Sequence, residues 1–279
     1  MQFQCAGFQL SIQHGFAPAP LIQPFFSQNQ LVPADLTITH HGTARSMIGQ
    51  CVFNADLAWE LRREGQQRQF VFRDAHLREP LMTCTLAQST FPTTAVLHYD
   101  ESQTLETWLF DYPIIQLILT EWLAERAGLL LHACAVRDGD RAYVFTGAPG
   151  VGKSTSARLW ADAGATVLSD DRVILRWHDD QLWVYGTPWH SSTPLVAAQG
   201  APVTAIMALA HGQHHRLTPL DPMTMFRRVI PEVYLPRWDT QCTDQTLATF
   251  DRVITSIPRY LLEFLPDATV IDYVRSQLA

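Results

Sequence analysis

Residues 147–154 read Gly-Ala-Pro-Gly-Val-Gly-Lys-Ser, and together these residue types can hold a phosphate chain. The glycines admit backbone conformations that turn several N–H groups toward one point. Their spacing, Gly147-x-x-x-x-Gly152-Lys153-Ser154, is that of a phosphate-binding loop. Lys153 is the one lysine of the chain; the other nineteen basic residues are arginines. A compact ammonium can follow β- and γ-phosphates into a tight bend where a broad, planar guanidinium does not fit. The Ser154 hydroxyl suits a magnesium ion. Gly147, Ala148, Pro149, Gly150, Val151, Gly152, Lys153, Ser154 and Thr155 are therefore the expected nucleotide-binding run, with ATP and Mg²⁺ as the expected ligands.

Asp170 and Asp171 stand about fifteen residues further on, after a short apolar run. Proteins with a phosphate loop often place a metal-binding carboxylate at a nearby strand end. Two adjacent carboxylates can divide labour, one beside the metal and the other accepting a proton from an attacking hydroxyl. Trp189 and His190 follow a Gly-x-Pro turn, in a loop suited to substrate contact. Phosphoryl transfer also wants an arginine near the transferred group, and Arg172, Arg227, Arg228 and Arg237 are candidates. Of these, Arg228 and Arg237 are carried forward as substrate residues, although such arginines also make ordinary solvated surface. His132 lies in an apolar run, where a histidine is commonly a satisfied core residue. The run His211 to His215 reads as a polar hairpin tip rather than a metal site.

The elements that must position these groups can be read from periodicity. LLLHACAV and RAYVFTG are strand-like runs joined by Asp-Gly, a hairpin signal, and the second run leads into the loop. KSTSARLWADAG reads as the following helix, closed by Gly164. ATVLS is a short strand ending at the acidic pair, and DRVILRWH with LWVYG forms another hairpin. AIMALAHG and RYLLEFL read as strands. DPMTMFRRVIPEVY, TDQTLATFDRVITSI and ATVIDYVRSQL read as helices. Upstream, DYPIIQLILTEWLAERAG reads as a helix with Asp111 as N-cap and Gly128 just past its end. Residues 1–110 look β-rich, with strand-like runs FQCAGFQLSI, ADLTITHHG, RQFVFRDAH and TAVLHY separated by Pro- and Gln-rich stretches. The expected division is a β-rich region, 1–110, and a phosphate-loop domain, 111–279, in a mixed α/β (α+β) protein.

Composition narrows the class. The chain has 279 residues, 47% hydrophobic and 17% charged, with a net charge of −7. That is enough apolar material for a sizeable core, and an acidic balance disfavours nucleic acid and anionic membrane as partners. The opening MQFQCAGFQL lacks the basic and apolar segments of a secretory signal, and no apolar run is long enough to cross a bilayer. The five cysteines form no CxxC pair. Reduced, buried thiols in a cytoplasmic protein are expected.

Taken together, LLHACAV, a short hairpin, FTGAPGVGKS, a helix ending in glycine and LSDDRV resemble the catalytic domain of HPr kinase/phosphorylase. They are more similar still to shorter HPr-kinase-like proteins with a different N-terminal region. The resemblance covers about residues 110–275 and is strongest from His132 to His190. It implies a nucleotide-binding fold akin to ATP-dependent phosphoenolpyruvate carboxykinase, and transfer of the γ-phosphoryl group of ATP to a serine hydroxyl of a small protein or ribosomally made peptide. It implies Asp170 as the base, Asp171 with Ser154 at the magnesium, Lys153 on the phosphates, and His132 as the family histidine beside the aspartates. The chain departs from the HPr enzymes in having Thr155 where they carry glutamate, and in having GTPWHSS, residues 186–192, in place of their Gly- and Arg-rich signature. Those departures point away from HPr as acceptor and away from reverse phosphorolysis. An ATP-switched regulator with weak ATPase activity, and a kinase of a small-molecule alcohol, stay open, and a homo-oligomer is compatible with all three.

Overall fold

The computed structural model describes residues 1–13, 16–27, 32–42, 46–56, 58–73, 80–99, 104–111, 113–191 and 194–278. The fold is mixed α+β. The chain divides into two compact units, Met1–Trp122 and Leu123–Ala279.

The first unit is built on a nine-stranded sheet: β1 (Gln2–Cys5), β2 (Phe8–Ile12), β3 (Phe26–Ser27), β4 (Leu36–His41), β5 (Gln50–Ala55), β6 (Trp59–Glu64), β7 (Gln67–Arg73), β8 (Pro80–Leu86) and β9 (Thr93–Tyr99). Its order is β3-β1-β2-β4-β9-β8-β7-β6-β5, with β4 parallel to both β2 and β9. Four strands here, β3, β5, β6 and β8, are absent from the sequence reading. In β6, WELRRE has charged residues on both faces, so the period-2 signal is lost. A π-helical turn, Thr107–Asp111, precedes helix α1 (Ile114–Ala124). Asp111 therefore ends that turn rather than capping a longer helix. Glu121 of α1 and Arg68 of β7 form a buried bidentate pair at 2.8 and 2.9 Å.

The second unit holds β10 (Gly128–Asp138), β11 (Arg141–Thr146), α2 (Lys153–Asp162), β12 (Thr166–Ser169), β13 (Arg172–His178), β14 (Gln181–Tyr185), β15 (Gly200–His211), β16 (Arg216–Pro219), α3 (Pro222–Val229), α4 (Thr240–Ser256), β17 (Arg259–Phe264) and α5 (Thr269–Gln277). Gly128 opens β10 instead of closing α1. Ala127 takes the left-handed conformation there (φ 49°), and a Cβ at Gly128 would lie 2.7 Å from a Leu123 methyl. The β10–β11 and β13–β14 hairpins form as expected. The run His211 to His215 is not a hairpin tip. β15 and β16 do not pair with each other; β17 lies between them, parallel to β15 and antiparallel to β16.

β15 is long enough to pair at its start with β14 and further on with β11, so the strand path β11-β10-β13-β14-β15 returns to β11. Alternate residues of β10 feed two apolar layers. Leu129, Leu131, Ala133 and Ala135 pack with Met225 and Val229 of α3 and Phe250, Val253 and Ile254 of α4. Cys134 and Val136 pack with Trp160 of α2 and Val270, Ile271 and Val274 of α5. Helices thus cover both faces, and the glycine-rich loop, residues 147–152, sits where β11 passes into α2. Burial pushes the Cys5 and Cys84 thiols up to about 12 and raises Cys134 as well, so these are inert core residues, whereas Cys51 is exposed. Among the described residues, no helix is long and apolar enough to cross a membrane.

Candidate active site

Strand β10 gathers the site. Ala133 pairs with Thr146, the last residue of β11, on one edge. On the other edge β12 runs opposite Ala135 to Arg137, and β13 runs opposite Gly128 to His132. The acidic pair occupies the irregular passage between those two strands, where the Ala133 N–H donates to the Asp171 carbonyl at 3.1 Å. Ser169 holds the passage in shape. Its hydroxyl oxygen accepts the N–H groups of Asp171 and Arg172, both at 3.2 Å, and donates to the Trp189 carbonyl at 3.1 Å. Loop, histidine and carboxylates therefore meet at one level of the sheet, although they come from three stretches of chain.

The loop backbone has the bend its glycines anticipate. Gly150 (φ 81°) and Gly152 (φ 112°) lie in the left-handed region that glycine alone enters cheaply. Gly152 directly precedes α2, so the first amides of that helix face the bend. Lys153 is 7% exposed, and its Nζ donates to the Gly147 carbonyl at 2.6 Å. Burial lowers its pKa, against the carboxylates of Glu232 and Asp171, which raise it. A buried ammonium without a carboxylate in contact is costly unless an anion joins it.

Beside the loop is an open cavity of about 320 Å³ lined by His132, Pro149, Gly150, Gly152, Lys153, Ser154, Thr155, Asp170, Asp171 and Ser191. The two carboxylates face different partners in it. Asp170, 2% exposed, accepts the Ser191 N–H at 3.0 Å on Oδ1 and the Ser191 hydroxyl on Oδ2. The Ser191 and Ser154 hydroxyls are 3.4 Å apart. Asp171 turns the other way, 3.1 Å from Arg172 Nε and 3.7 Å from His132 Nε2. The His132 ring nitrogen Nδ1 lies 2.9 Å from Glu232 Oε2, within hydrogen-bonding distance, whereas 3.7 Å to Asp171 is beyond it. Those distances favour the tautomer with its proton on Nδ1 and a lone pair on Nε2. Burial, and then the Lys153 ammonium, hold the His132 pKa below its ordinary value despite the two carboxylates.

No protein-family model matches the chain, and no curated protein matches it. Among solved structures, the HPr(Ser) kinase/phosphatase from Coxiella burnetii is similar over 53% of this chain and 97% of that one, at 12% sequence identity and a TM-score of 0.32. A likeness of that degree decides neither the fold nor the activity. The site geometry stands on its own.

The remaining expected residues are distributed unevenly. Trp189 is 6% exposed, with its ring 5.6 Å from the Arg172 guanidinium. Its position is that of a packing residue that steadies Arg172. His190 is exposed, and its Nδ1 contacts the Ser191 carbonyl at 2.7 Å. Arg228 and Arg237 are both exposed, and neither lines the cavity. The arginine that does reach the acidic pair is Arg172, which also donates to the Tyr234 hydroxyl at 3.0 Å. Ser192 lies outside the described residues. Sequence reading missed Glu232, Tyr234, Ser169 and Ser191. Glu232 and Tyr234 arrive because the segment after α3 adds to β10, through a Leu131–Val233 bridge and a Tyr234 N–H to Leu130 carbonyl bond at 3.0 Å. Glu-Val-Tyr in that position carries no motif.

The residues present fit a magnesium–nucleotide complex. The cationic side is the buried Lys153 with the loop amides, and the hard oxygen donors are Ser154 and the acidic pair. Among the described residues, no group of three or more His, Cys, Asp or Glu side chains forms a ready-made metal cage. Magnesium is commonly held by one or two carboxylates together with substrate phosphates, which needs no such cage.

Proposed function

We propose that this protein is a magnesium-dependent ATP phosphotransferase that moves the γ-phosphoryl group to a hydroxyl, most simply a serine of a small protein or peptide. One observation carries the reading. A phosphate loop with its buried lysine and an acidic pair line a single cavity, and one of those carboxylates already accepts a serine hydroxyl.

In this reading the loop amides and Lys153 bind the β- and γ-phosphates and draw off charge as the transferred group loosens. Ser154 and Asp171 would hold magnesium, which neutralises charge on the phosphates. The acceptor oxygen forms a bond to the γ-phosphorus, the bond from that phosphorus to the β–γ bridging oxygen breaks, and ADP leaves. The acceptor proton goes to Asp170. His132, fixed by Glu232, sits beside Asp171 without hydrogen-bonding to it, and the Arg172 guanidinium is the group that holds the Asp171 carboxylate in place. The first unit would select the acceptor, and the HPr-kinase-like resemblance of residues 110–275 agrees with the chemistry.

The test uses radiolabelled ATP with the purified chain, candidate serine peptides and cell lysate. Stable label on a protein or peptide is the expected result. Release of free phosphate alone would make the chain a nucleotide-switched regulator instead. Asp170→Asn should abolish transfer, by about 100-fold or more for the loss of a general base, while nucleotide binding persists. Transfer at the wild-type rate in Asp170→Asn would remove Asp170 from the role of base.

A further inference from the structure

The loop after β14 places a hydroxyl of the chain itself where an acceptor hydroxyl belongs. Ser191 Oγ donates to Asp170 Oδ2, and the Ser191 N–H is held by the other oxygen of the same carboxylate at 3.0 Å. The same Oγ is 3.4 Å from the Ser154 hydroxyl, at the first turn of α2. Ser191 lines the cavity together with Lys153 and the loop glycines.

The placement is built rather than incidental. Two residues upstream, Trp189 is anchored through its carbonyl to the buried Ser169 hydroxyl, and its ring packs on Arg172. The fully buried Thr187 hydroxyl donates to the Arg172 carbonyl at 2.6 Å. The segment is therefore pinned to the same strand passage that carries the acidic pair. Holding a nucleophile on its base in the reactive orientation is worth far more than diffusion at any attainable acceptor concentration.

We propose that Ser191 is an intramolecular phosphoryl acceptor, and that the protein phosphorylates itself there from magnesium–ATP. The proposal rests on the phosphotransferase reading of the same cavity. The step balances within that chemistry. Ser191 Oγ forms the new bond to the γ-phosphorus, its proton passes to Asp170 Oδ2, the bond to the β–γ bridging oxygen breaks, and ADP departs. No further oxidant, reductant or co-reactant enters.

The experiment uses the full chain alone with magnesium and γ-labelled ATP, read by intact mass and by fragmentation that separates Ser191 from Ser192 and Thr193. The expected result is one phosphoryl group per chain on Ser191, appearing at a first-order rate that does not change when the protein is diluted. In Ser191→Thr the label should move to phosphothreonine at the same position, and in Asp170→Asn it should fall by about 100-fold or more. Label on another residue, or a rate that scales with protein concentration, overturns the proposal. So does an unlabelled Ser191 in a preparation that hydrolyses ATP or phosphorylates an added acceptor, and in that case the phosphotransferase reading survives. A preparation that shows no magnesium-dependent nucleotide binding overturns both.

Discussion

Replacing Glu232 by glutamine keeps an acceptor for the His132 Nδ1–H and removes only the charge. With 2.9 Å between the two side chains, a full charge pair in a medium of effective dielectric about 20 is worth roughly 6 kcal/mol. The His132 side chain is 30% exposed, so water screens most of that, and about 1–2 kcal/mol is a fair remainder. The His132 pKa, already held low, should therefore fall further in Glu232→Gln. The direction follows because the lost carboxylate was raising the pKa against burial and Lys153. Histidine ring resonances followed by NMR against pH measure this without any acceptor or turnover, with His132→Asn assigning the signal among the eleven histidines. A His132 midpoint that stays put or rises in Glu232→Gln would refute the charge coupling, and with it the placing of Glu232 behind His132.

Three further outcomes are expected. Lys153→Ala should weaken magnesium–nucleotide binding by about 10- to 100-fold, as for loss of a charged hydrogen bond of 1.5–3 kcal/mol; Lys153→Arg should not restore it, because the fork does not fit the bend; calorimetry measures both. Stability should fall as pH drops below 6.5, the ordinary value for His132, because the unfolded chain takes up a proton before the folded one does. The loss accrues down to the depressed folded pKa and then stops, and in His132→Asn that part of the urea-denaturation profile should flatten. Arg68→Ala should cost about 3–5 kcal/mol by stranding the buried Glu121 carboxylate, whereas the double change Arg68→Met, Glu121→Leu should be near neutral; thermal melts separate the two.

The parts of the site legible in sequence are those whose function is local. A phosphate loop needs its glycines, lysine and serine in one uninterrupted run, because amides of consecutive residues make the cradle. The strand before it, the helix after it and the aspartates at the next strand end follow from short-range periodicity and turn chemistry, and the structure carries each of them. Elsewhere the local signal failed where tertiary pairing overrode it. The strand-like runs on either side of His211 to His215 looked like a hairpin, yet β17 lies between them. Gly128 looked like a helix stop, yet Leu123 leaves no room for a Cβ there, and Ala127 makes the turn.

The distribution of partners around the acidic pair was settled by folding alone. Glu232 reaches His132 from a hundred residues downstream, because a short segment after α3 pairs with β10. Asp170 receives Ser191 because Ser169 and Thr187 fasten the intervening loop. The sequence offered four arginines as candidates near the transferred group; folding brings Arg172 to the acidic pair and leaves Arg228 and Arg237 exposed. A sequence specifies which chemistry a residue can perform, and contiguous motifs specify backbone cradles. Which side chain faces which carboxylate depends on strand register and on the packing of distant segments, and those are properties of the whole fold.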